Sequence, residues 1–346
     1  YAPGLGYYTA GTAKFGADGD FITAPEVSAV FGRVLARQCA EGLAAIDNGS
    51  ILEFGAGSGK LAVDVLSALQ ELDALPAHYD IIEVSADLTQ RQQALLQERV
   101  PQLVSRVRWL TGLPRRHVGI MIANEVLDAL PVERFIRTEA GVRQLRVTVR
   151  DGQFQVQEAD APAHLRTAVE RIESDLGERL PPGFVSEVSP ALPGWLKDIA
   201  AALEHGVIFL LDYGVSRREY YATERNGGWL RCHFRHRAHG DPLKLAGIQD
   251  LTAWVDFTGV ADAAVGCGLE ILGYAPQAHF LLGGGLDLEL SEFASLPTKT
   301  QIELSGQVKI LTLPDELGEN FKCMALRRGA VPVPSAFCHA DRAHTL

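Results

Sequence analysis

Short apolar runs alternate with helix-length amphipathic segments through the first half of the chain. Apolar residues recur at helical spacing in Gly59–Leu72 and again in Leu88–Val100, which ends before Pro101. An apolar run between such segments is typical of a strand buried on both faces of a parallel sheet. The runs that we interpret as strands are Ile51–Phe54, Tyr79–Val84, Val107–Leu110, Val118–Ala123 and Val207–Leu211. Joined by right-handed crossovers, they predict an α/β fold with a Rossmann-like core.

Two stretches depart from this alternation and are interpreted as insertions. Val142–Val149 and Phe154–Glu158 alternate apolar and polar residues around Asp151-Gly152, which predicts a β-hairpin. Residues 216–247 are rich in Arg, His, Gly and Tyr and show little apolar periodicity, which is typical of a lid or binding loop.

The remainder of the chain returns to regular patterns. Leu251–Val265 predicts a helix, Leu269–Tyr274 and Phe321–Leu326 predict strands, and the proline-containing stretch from Val331 onward predicts a loosely held terminus.

Charge and cysteine content exclude several classes of protein. The formal net charge of −11 disfavours binding to a phosphate backbone, so we expect no nucleic-acid partner. Five cysteines without a C-x-x-C pair indicate buried thiols in a reducing compartment rather than a disulfide scaffold.

No apolar run reaches the roughly 18 residues of a membrane span, and the first residues lack the pattern of a signal peptide.

The loop Glu53–Gly59 is the first candidate binding element. A glycine-rich turn between a buried strand and a helix lets backbone approach a ligand closely. Counting from Gly55, the dinucleotide fingerprint fails at Lys60, and a P-loop fails because Leu61 stands where a hydroxyl residue is required. What remains is an acid followed by G-x-G-x-G, which resembles motif I of the class I methyltransferases.

That resemblance implies S-adenosylmethionine as cofactor. Glu53 would hold its methionine ammonium group above a floor formed by Gly55, Ala56, Gly57 and Gly59. Glu83, 24 residues past Gly59, ends the second predicted strand, where a carboxylate could accept both ribose hydroxyls. Val84 and Ser85 follow it and are included in the predicted cofactor site.

A second polar group follows the fourth predicted strand. Asn124 and the acids Glu125 and Asp128 reach the same carboxyl edge, and a helical turn beginning at Asn124 would point both acids the same way. Two carboxylates can bind a guanidinium and orient its reacting nitrogen, so Glu125 and Asp128 are the candidate catalytic residues. Asn124 is predicted to contact the cofactor. Alternatively, Asn124 caps a short helix and the acids occupy its first turn.

His233, His236 and His239 recur beside Cys232. Arg231, Arg235 and Arg237 would repel a cation and no further ligand motif completes the group, so no metal site is predicted. We interpret the segment as a polar wall of the lid.

Several segments together resemble one family, the MidA-like methyltransferases, which include the mitochondrial complex I assembly factor that dimethylates an arginine. They are Gly6-Tyr7-Tyr8, Gly19–Glu26, Glu53–Gly59, Ile82–Ser85, Asn124–Val132, Asp212-Tyr213-Gly214, Arg235-His236-Arg237, Gly247–Thr252 and Val255-Asp256-Phe257. The resemblance implies a protein arginine as methyl acceptor and a segment Gly19–Glu26, with Thr23 and Pro25, folded over the cofactor.

The sequence therefore predicts a Rossmann-like class I S-adenosylmethionine-dependent methyltransferase fold with an inserted β-hairpin and a lid. Its parts are a cofactor-covering segment (1–48), a core (49–132 and 203–330), an insertion (133–202), a lid (215–249) and a tail (331–346). The predicted activity is methylation of an exposed arginine on a partner protein. Methylation of a small molecule or another side chain, and a chaperone that binds a cationic partner with catalysis secondary, stay open.

Relatives of this kind imply a cytoplasmic protein in bacteria and a mitochondrial-matrix protein in eukaryotes. Homodimer formation is left open by the sequence.

Overall fold

The computed structural model describes Gly6, residues 23–234 and residues 237–346. Within them the helices are α1 (Ala24–Val27), α2 (Ala29–Leu43), α3 (Lys60–Glu71), α4 (Ala86–Arg99), α5 (Ala163–Leu176), α6 (Ala191–Ala202), α7 (Arg217–Tyr220), α8 (Phe257–Gly266), α9 (Gln277–Gly283), α10 (Leu286–Glu289), α11 (Thr298–Thr312) and α12 (Leu317–Asn320). The strands are β1 (Ser50–Phe54), β2 (Tyr79–Ile82), β3 (Val107–Leu110), β4 (His117–Asn124), β5 (Glu133–Thr138), β6 (Gly141–Arg150), β7 (Gln153–Asp160), β8 (Val185–Val188), β9 (Leu203–Val215), β10 (Arg231–Phe234), β11 (Arg237–His239), β12 (Asp250–Thr252), β13 (Val255–Asp256), β14 (Glu270–Pro276) and β15 (Phe321–Arg328).

The central sheet has the strand order β14-β15-β9-β4-β1-β2-β3, with β13 also pairing β9. The strands from β9 to β3 are parallel to their neighbours, and β15 runs antiparallel between β9 and β14. The chain enters at β1 in the middle, proceeds outward to β3, and returns to β4 on the other side of β1. This reversal opens a crevice at the carboxyl ends of β1 and β4, where open α/β sheets bind ligands. The α/β prediction is confirmed.

Both faces of this sheet are buried because successive strand residues point to opposite sides. Ile51 packs with Phe31 and Leu35 of α2 in one apolar cluster, whereas the next residue, Leu52, packs with Leu196 of α6 in the other. Because both faces are buried, each strand reads as a continuous apolar run rather than as alternating apolar and polar residues. These runs are what allowed the core strands to be predicted from the sequence.

A second, smaller core lies outside the central sheet. The predicted hairpin is present as β6 and β7, in a sheet of order β7-β6-β5-β8. Residues from the predicted insertion and from the predicted lid bury their side chains together in what we term the accessory core: Phe135, Ala161, Leu165, Val169, Ile172, Leu180, Phe184, Tyr220, Tyr221 and Trp229.

Glu187 on β8 connects the two segments of the accessory core. Its buried carboxylate accepts hydrogen bonds from the Trp229 amide and the Tyr220 hydroxyl, and its carbonyl accepts one from the Tyr221 hydroxyl at 3.1 Å. Gly227 donates its amide to the Val185 carbonyl at 2.9 Å, so the lid is also joined to the edge of β8 through the backbone.

The β6–β7 hairpin extends beyond the sheet that carries it. Strand β5 pairs with residues 141–145 of β6, whereas β6 and β7 pair with each other along their whole length. We call the two-stranded projection, residues 146–157, the arm.

Two predicted elements were wrong in part. The segment from Leu251 begins as strand rather than helix, because Asp250–Thr252 pairs with β10 and the helix starts only after Asp256, whose carboxylate caps it through the Gly259 amide at 3.1 Å. The tail is not loosely held: Val331, Ala336 and Phe337 are buried in the main core.

The prediction of buried thiols also needs correction. Cys39, Cys232 and Cys323 are buried, but Cys267 is half-buried and Cys338 is exposed. None of the helices described is both long and apolar enough to cross a lipid bilayer.

Candidate active site

Four polar side chains from neighbouring strands meet at the carboxyl edge of the sheet. Glu53 lies near the end of β1, Glu83 directly follows β2, and Asn124 ends β4. Asp212 lies on β9, which pairs with β4. Parallel strands end at the same edge, so residues far apart in sequence share one crevice.

The glycine loop after β1 has a backbone that favours glycine. Gly55, Gly57 and Gly59 have φ angles of 61°, 53° and 87°, in the left-handed region that other residues rarely adopt. A Cβ on Gly59 would lie 3.2 Å from the Cα of Gln92 on α4. The loop therefore depends on glycine both for its conformation and for the close approach of α4.

Gln92 was not predicted as a site residue. Its fully buried side-chain amide donates to the Gly57 carbonyl at 2.9 Å and to the Glu83 carboxylate at 3.1 Å, and its oxygen accepts from the Trp109 indole at 2.9 Å. Gln92 thus fixes the glycine loop relative to the acid after β2.

Glu53 is buried and its carboxylate accepts a hydrogen bond from the Tyr79 hydroxyl at 2.8 Å. Burial raises the pKa of Glu53 to about 7; the Tyr79 bond opposes this rise and the Glu83 charge adds to it. A bound cation would reverse this shift, since an opposite charge favours the ionised carboxylate.

The residues after β2 lie at the rim of the crevice. Glu83 is half-buried, and one of its carboxylate oxygens accepts from the Ser85 amide at 2.9 Å. Ser85 is buried and caps α4 through the Leu88 amide, whereas Val84 between them is 65% exposed. An exposed apolar side chain beside a carboxylate suits a flat ring with an adjoining sugar.

The loop after β4 does not form the helical turn considered from the sequence. Glu125 has a φ of 52°, and its amide donates to the Leu211 carbonyl of β9 at 2.8 Å, which turns the chain out of helical geometry. Neither the i, i+3 alignment of the acids nor a cap at Asn124 is therefore present; instead the Asn124 amide donates to the Glu125 carboxylate at 3.2 Å.

Asp212 holds this loop in place. Its carboxylate accepts from the amides of Leu127 at 2.9 Å and Asp128 at 3.2 Å, and from the Tyr213 amide at 2.9 Å. The Tyr213 hydroxyl in turn donates to the Asp128 carboxylate. The Asp212-Tyr213 pair thereby fixes the position of Asp128, a role that the sequence did not reveal because it depends on the pairing of β9 with β4.

Glu125, Asp128, Asp212 and Asp250 form what we term the carboxylate cluster. Burial and the Asp128 charge raise the pKa of Glu125 to about 8, and burial together with the Asp250 charge raises that of Asp128 to about 7 against the opposing Tyr213 bond. Burial and the charges of Asp128 and Glu125 likewise raise the pKa of Asp212. These carboxylates repel one another, so the cluster is suited to a cation.

A cavity of about 70 Å³ joins the glycine loop to the cluster. Its lining includes Thr23, Pro25, Glu53, Gly55, Ala56, Gly57, Asn124, Glu125 and Asp128. Ligand sites commonly measure 300–1,000 Å³, so this cavity encloses only part of a nucleoside-sized ligand, with Glu83, Val84 and Ser85 outside its walls. The buried Oδ1 of Asn124 has no hydrogen-bond partner among the described residues, which leaves an acceptor available to a ligand.

A larger cavity of about 540 Å³ lies between the accessory core and the central sheet. It borders the same loop through Leu127, but no glycine-loop residue lines it. The smaller cavity is therefore the candidate cofactor cavity, chosen for its chemistry rather than for its size.

Some predicted residues lie elsewhere. Cys232 and His239 are opposite each other on β10 and β11, and no group of three or more His, Cys, Asp or Glu residues in the described parts of the chain is arranged to hold a metal ion. Tyr7, Tyr8, Gly19–Ile22, Arg235 and His236 lie outside the described residues.

A family model described as "putative S-adenosyl-L-methionine-dependent methyltransferase" matches residues 34–275, more than half of the chain and the whole of the glycine loop and carboxylate cluster. The chain belongs to this family.

Solved and curated relatives agree with this assignment. A crystal structure of a Burkholderia thailandensis protein bound to S-adenosyl-homocysteine is similar with a TM-score of 0.93 and 38% identity, over 100% of this chain and 89% of that one. Protein arginine methyltransferase NDUFAF7, mitochondrial, of Mus musculus is 30% identical over 94% of this chain and 78% of its own. The Danio rerio protein of the same name is 29% identical over 92% and 79%.

The chain is thus an S-adenosyl-L-methionine-dependent methyltransferase, with the class I fold and the cofactor predicted from its sequence. The residues present fit that cofactor. Positive-φ glycines leave a bare floor, the Asn124 Oδ1 has no hydrogen-bond partner among the described residues, and a cation beside Glu53 would offset the burial that raises its pKa. Glu53 would hold the ammonium group and Glu83 the ribose hydroxyls, with Val84 beside the adenine.

Proposed function

We propose that this methyltransferase transfers a methyl group to a guanidino nitrogen of an arginine on a partner protein. The observation that carries the proposal is the carboxylate cluster next to the cofactor cavity. Glu125 and Asp128 line that cavity; burial raises the pKa of both, and the charge of Asp128 adds to the rise for Glu125 and that of Asp250 to the rise for Asp128. The names of the mitochondrial relatives, protein arginine methyltransferases, support the same acceptor.

A guanidinium suits the cluster for two reasons. It stays protonated in water and presents several N–H donors in a plane, which two carboxylates can accept at once. The positive charge of the guanidinium also relieves the repulsion among the carboxylates of the cluster. Guanidinium binding therefore favours ionisation of the carboxyl groups, and their ionisation strengthens guanidinium binding.

The chain's own groups would position and deprotonate the acceptor. Carboxylates that hold some guanidino nitrogens localise the positive charge there and leave another nitrogen more nucleophilic. Bound S-adenosyl-L-methionine supplies an electrophilic methyl group on a sulfonium, so no general acid is required. Glu125, whose pKa is about 8, would accept the proton that the methylated nitrogen loses, since its basicity is well above that of an ordinary carboxylate.

The test is methyl labelling with a defined acceptor class. The protein is incubated with methyl-labelled cofactor and, separately, with the protein fraction and the small-molecule fraction of its source cells. We expect label in protein, and mass spectrometry should locate it on arginine. Label confined to small molecules, or to side chains other than arginine, would overturn the proposed acceptor while leaving the methyltransferase assignment intact.

A pair of carboxylate variants sharpens this test. Glu125→Gln should lower methyl transfer by roughly 10- to 100-fold, the loss of a hydrogen bond to a charged group. Glu204→Gln is the matched control, because Glu204 is exposed at the opposite end of β9, where it pairs with Arg116. That control should retain full activity.

A further inference from the structure

The larger cavity, of about 540 Å³, has the size of a small-molecule site and shares no lining residue with the candidate cofactor cavity. We call it the accessory cavity. Exposed residues of α5 and α6 lie at its mouth, among them His164, Thr167 and Pro193, whereas Leu127 and Tyr221 in its floor are buried. A ligand that enters there from solvent is therefore removed from water at the floor.

Apolar and aromatic side chains from several elements line the accessory cavity. They include Ile172, Leu192, Val255, Tyr220, Tyr221 and Trp254. Aliphatic side chains favour an apolar ligand body, because covering it removes apolar surface from water. Aromatic rings in addition attract organic cations that lie over their faces.

The charged residues in this lining leave one net negative charge. They are the acids Glu187, Asp256 and Asp262 and the arginines Arg171 and Arg217. Carboxylates already engage both arginines: Arg217 pairs with Asp256 at 3.1 Å and with Asp262 at 2.8 Å, and Arg171 pairs with Asp262 at 3.1 Å. The remaining acid is Glu187.

One carboxylate oxygen of Glu187 lacks a partner. The side chain is fully buried, and its Oε1 accepts from the Trp229 amide and the Tyr220 hydroxyl, whereas its Oε2 has no hydrogen-bond partner among the described residues. A buried acceptor without a donor is costly. Burial also raises the pKa of Glu187, although the Trp229 amide and the Arg134 charge oppose the rise. A donor that carries positive charge would correct both conditions.

We propose that the accessory cavity binds a small organic cation, a protonated amine on an apolar or aromatic body, whose N–H group donates to the Oε2 of Glu187. A quaternary ammonium suits the site less well because it has no hydrogen to donate. The net negative charge of the lining disfavours an anion.

This site is distinct from the place proposed for the acceptor arginine, yet it lies against the same loop. Leu127 lines the accessory cavity, and the next residue, Asp128, lines the cofactor cavity. The amide of Ala253, another residue of the accessory cavity, donates to the Asp128 carbonyl at 3.1 Å. The bound amine would thus pack on the opposite side of the loop that carries the carboxylates.

The experiment is calorimetric titration of the full chain, saturated with S-adenosyl-homocysteine, with two probes of nearly the same shape. Phenethylamine is protonated near neutral pH, and phenethyl alcohol is its uncharged counterpart. We expect the amine to bind at least about tenfold more tightly, as a hydrogen bond to a charged group predicts. The proposal is wrong if the amine fails to bind up to about 10 mM, a weak limit for a ligand of this size. Equal affinity for the two probes would contradict it as well.

Glu187→Gln tests the residue that recognises the amine. The glutamine oxygen is needed by the Trp229 amide, so its NH₂ group takes the place of Oε2 and meets the ammonium with a second donor. The affinity for phenethylamine should fall about tenfold or more, while that for phenethyl alcohol stays nearly unchanged. An unchanged affinity for the amine would remove Glu187 from this role.

Variants outside the floor test where the probes bind. Thr167→Trp narrows the mouth and should weaken both probes about tenfold or more. Ser174→Trp is the matched control, since it places the same side chain at an exposed position of α5 two turns farther on, outside the lining. Glu125→Gln should bind the amine like the unaltered chain. If this variant loses the amine and Thr167→Trp retains it, the probe occupies the carboxylate cluster and the proposal fails.

Discussion

Glu125 and Asp128 occupy an environment that opposes their own ionisation. The first has a pKa of about 8 and the second about 7, because both are buried beside other acids. At neutral pH the cluster is therefore only partly charged, and it gains charge when a cation enters. Binding of the proposed guanidinium acceptor would thus be coupled to the release of protons from the site.

The first prediction is a pH dependence of catalysis. Below pH 7 both carboxyls are largely protonated and attract a guanidinium weakly, whereas above pH 8 both are ionised. We expect kcat/KM for the acceptor to rise between pH 6 and 9 at saturating cofactor, measured from initial rates. Glu125→Gln should shift the rise toward the lower pKa of Asp128. A rate that falls across this range would contradict the role assigned to the cluster.

The second prediction concerns Gly59. A Cβ there combines a φ of 87° with contacts of 3.2–3.3 Å to Gln92, so Gly59→Ala should cost roughly 1–3 kcal/mol of stability and weaken cofactor binding. Calorimetric titration with S-adenosyl-L-methionine measures the affinity.

Gly177→Ala provides the control for backbone strain. Its φ of 74° is similar, but it lies at the end of α5 with open space around a Cβ. We expect some loss of stability and unchanged cofactor affinity. Equal loss of affinity in both variants would mean that Gly59 acts only through global stability.

At the scale of elements, the site is held by contacts between segments distant in sequence. Asp212 on β9 accepts hydrogen bonds from two amides of the loop after β4, and Gln92 on α4 donates to the loop after β1. Each contact fixes one side of the cavity. The strands set the distance between the two loops, while these two side chains set the loop conformations.

The third prediction follows from this anchoring. Asp212→Asn keeps the size of the side chain but replaces one of its acceptor oxygens with a donor, so it cannot bind the amides of Leu127, Asp128 and Tyr213 equally well. We expect kcat to fall about tenfold or more, with cofactor affinity nearly unchanged. Hydrogen exchange of residues 125–130 should increase. A kcat equal to that of the unaltered enzyme would show that Asp212 is not needed to position the loop after β4.

The sequence predicted the parts of the site that depend on local pattern. A buried strand, three glycines and an acid at fixed spacing identify the loop after β1, and the apolar runs identify the strands that bring Glu53, Glu83 and Asn124 to one edge. The residue-by-residue assignment of cofactor contacts stays a prediction, although Glu53, Gly55 and Gly57 do line the cavity.

The rest depended on pairing that a single pattern does not encode. Gln92 occupies a helix position like any other until α4 packs against the loop, and Asp212 is one of many acids at a strand end until β9 lies beside β4. The conformation of Glu125 was mispredicted for the same reason, since its amide bonds to β9 rather than to its own segment.

At the scale of the whole molecule, the buried acids oppose folding. Glu53, Glu125 and Asp128 have native pKa values of about 7 to 8, whereas unfolded carboxyls titrate near pH 4. Between about pH 4 and pH 8 these three carboxyl groups therefore keep their protons in the native state but lose them in the unfolded state. Stability must therefore fall as pH rises through this window.

The fourth prediction is that the Tm of the cofactor-free protein decreases by several degrees from pH 5.5 to 8.5. S-adenosyl-L-methionine should reduce this slope, because its cationic groups favour the ionised carboxylates. Asp128→Asn should reduce it as well and raise Tm at pH 8. Differential scanning calorimetry measures each case, and a Tm that increases with pH would contradict the assigned ionisation.

The accessory core has a consequence for the order in which the chain can assemble. Phe135 and Phe184 precede β9 in the sequence, while Tyr220, Tyr221 and Trp229, which cover them, follow it. A nascent chain synthesised as far as Ala202 has β5 to β8 but leaves their apolar side unprotected. The accessory core can thus be completed only after β9, which separates its two segments in the sequence, has been synthesised.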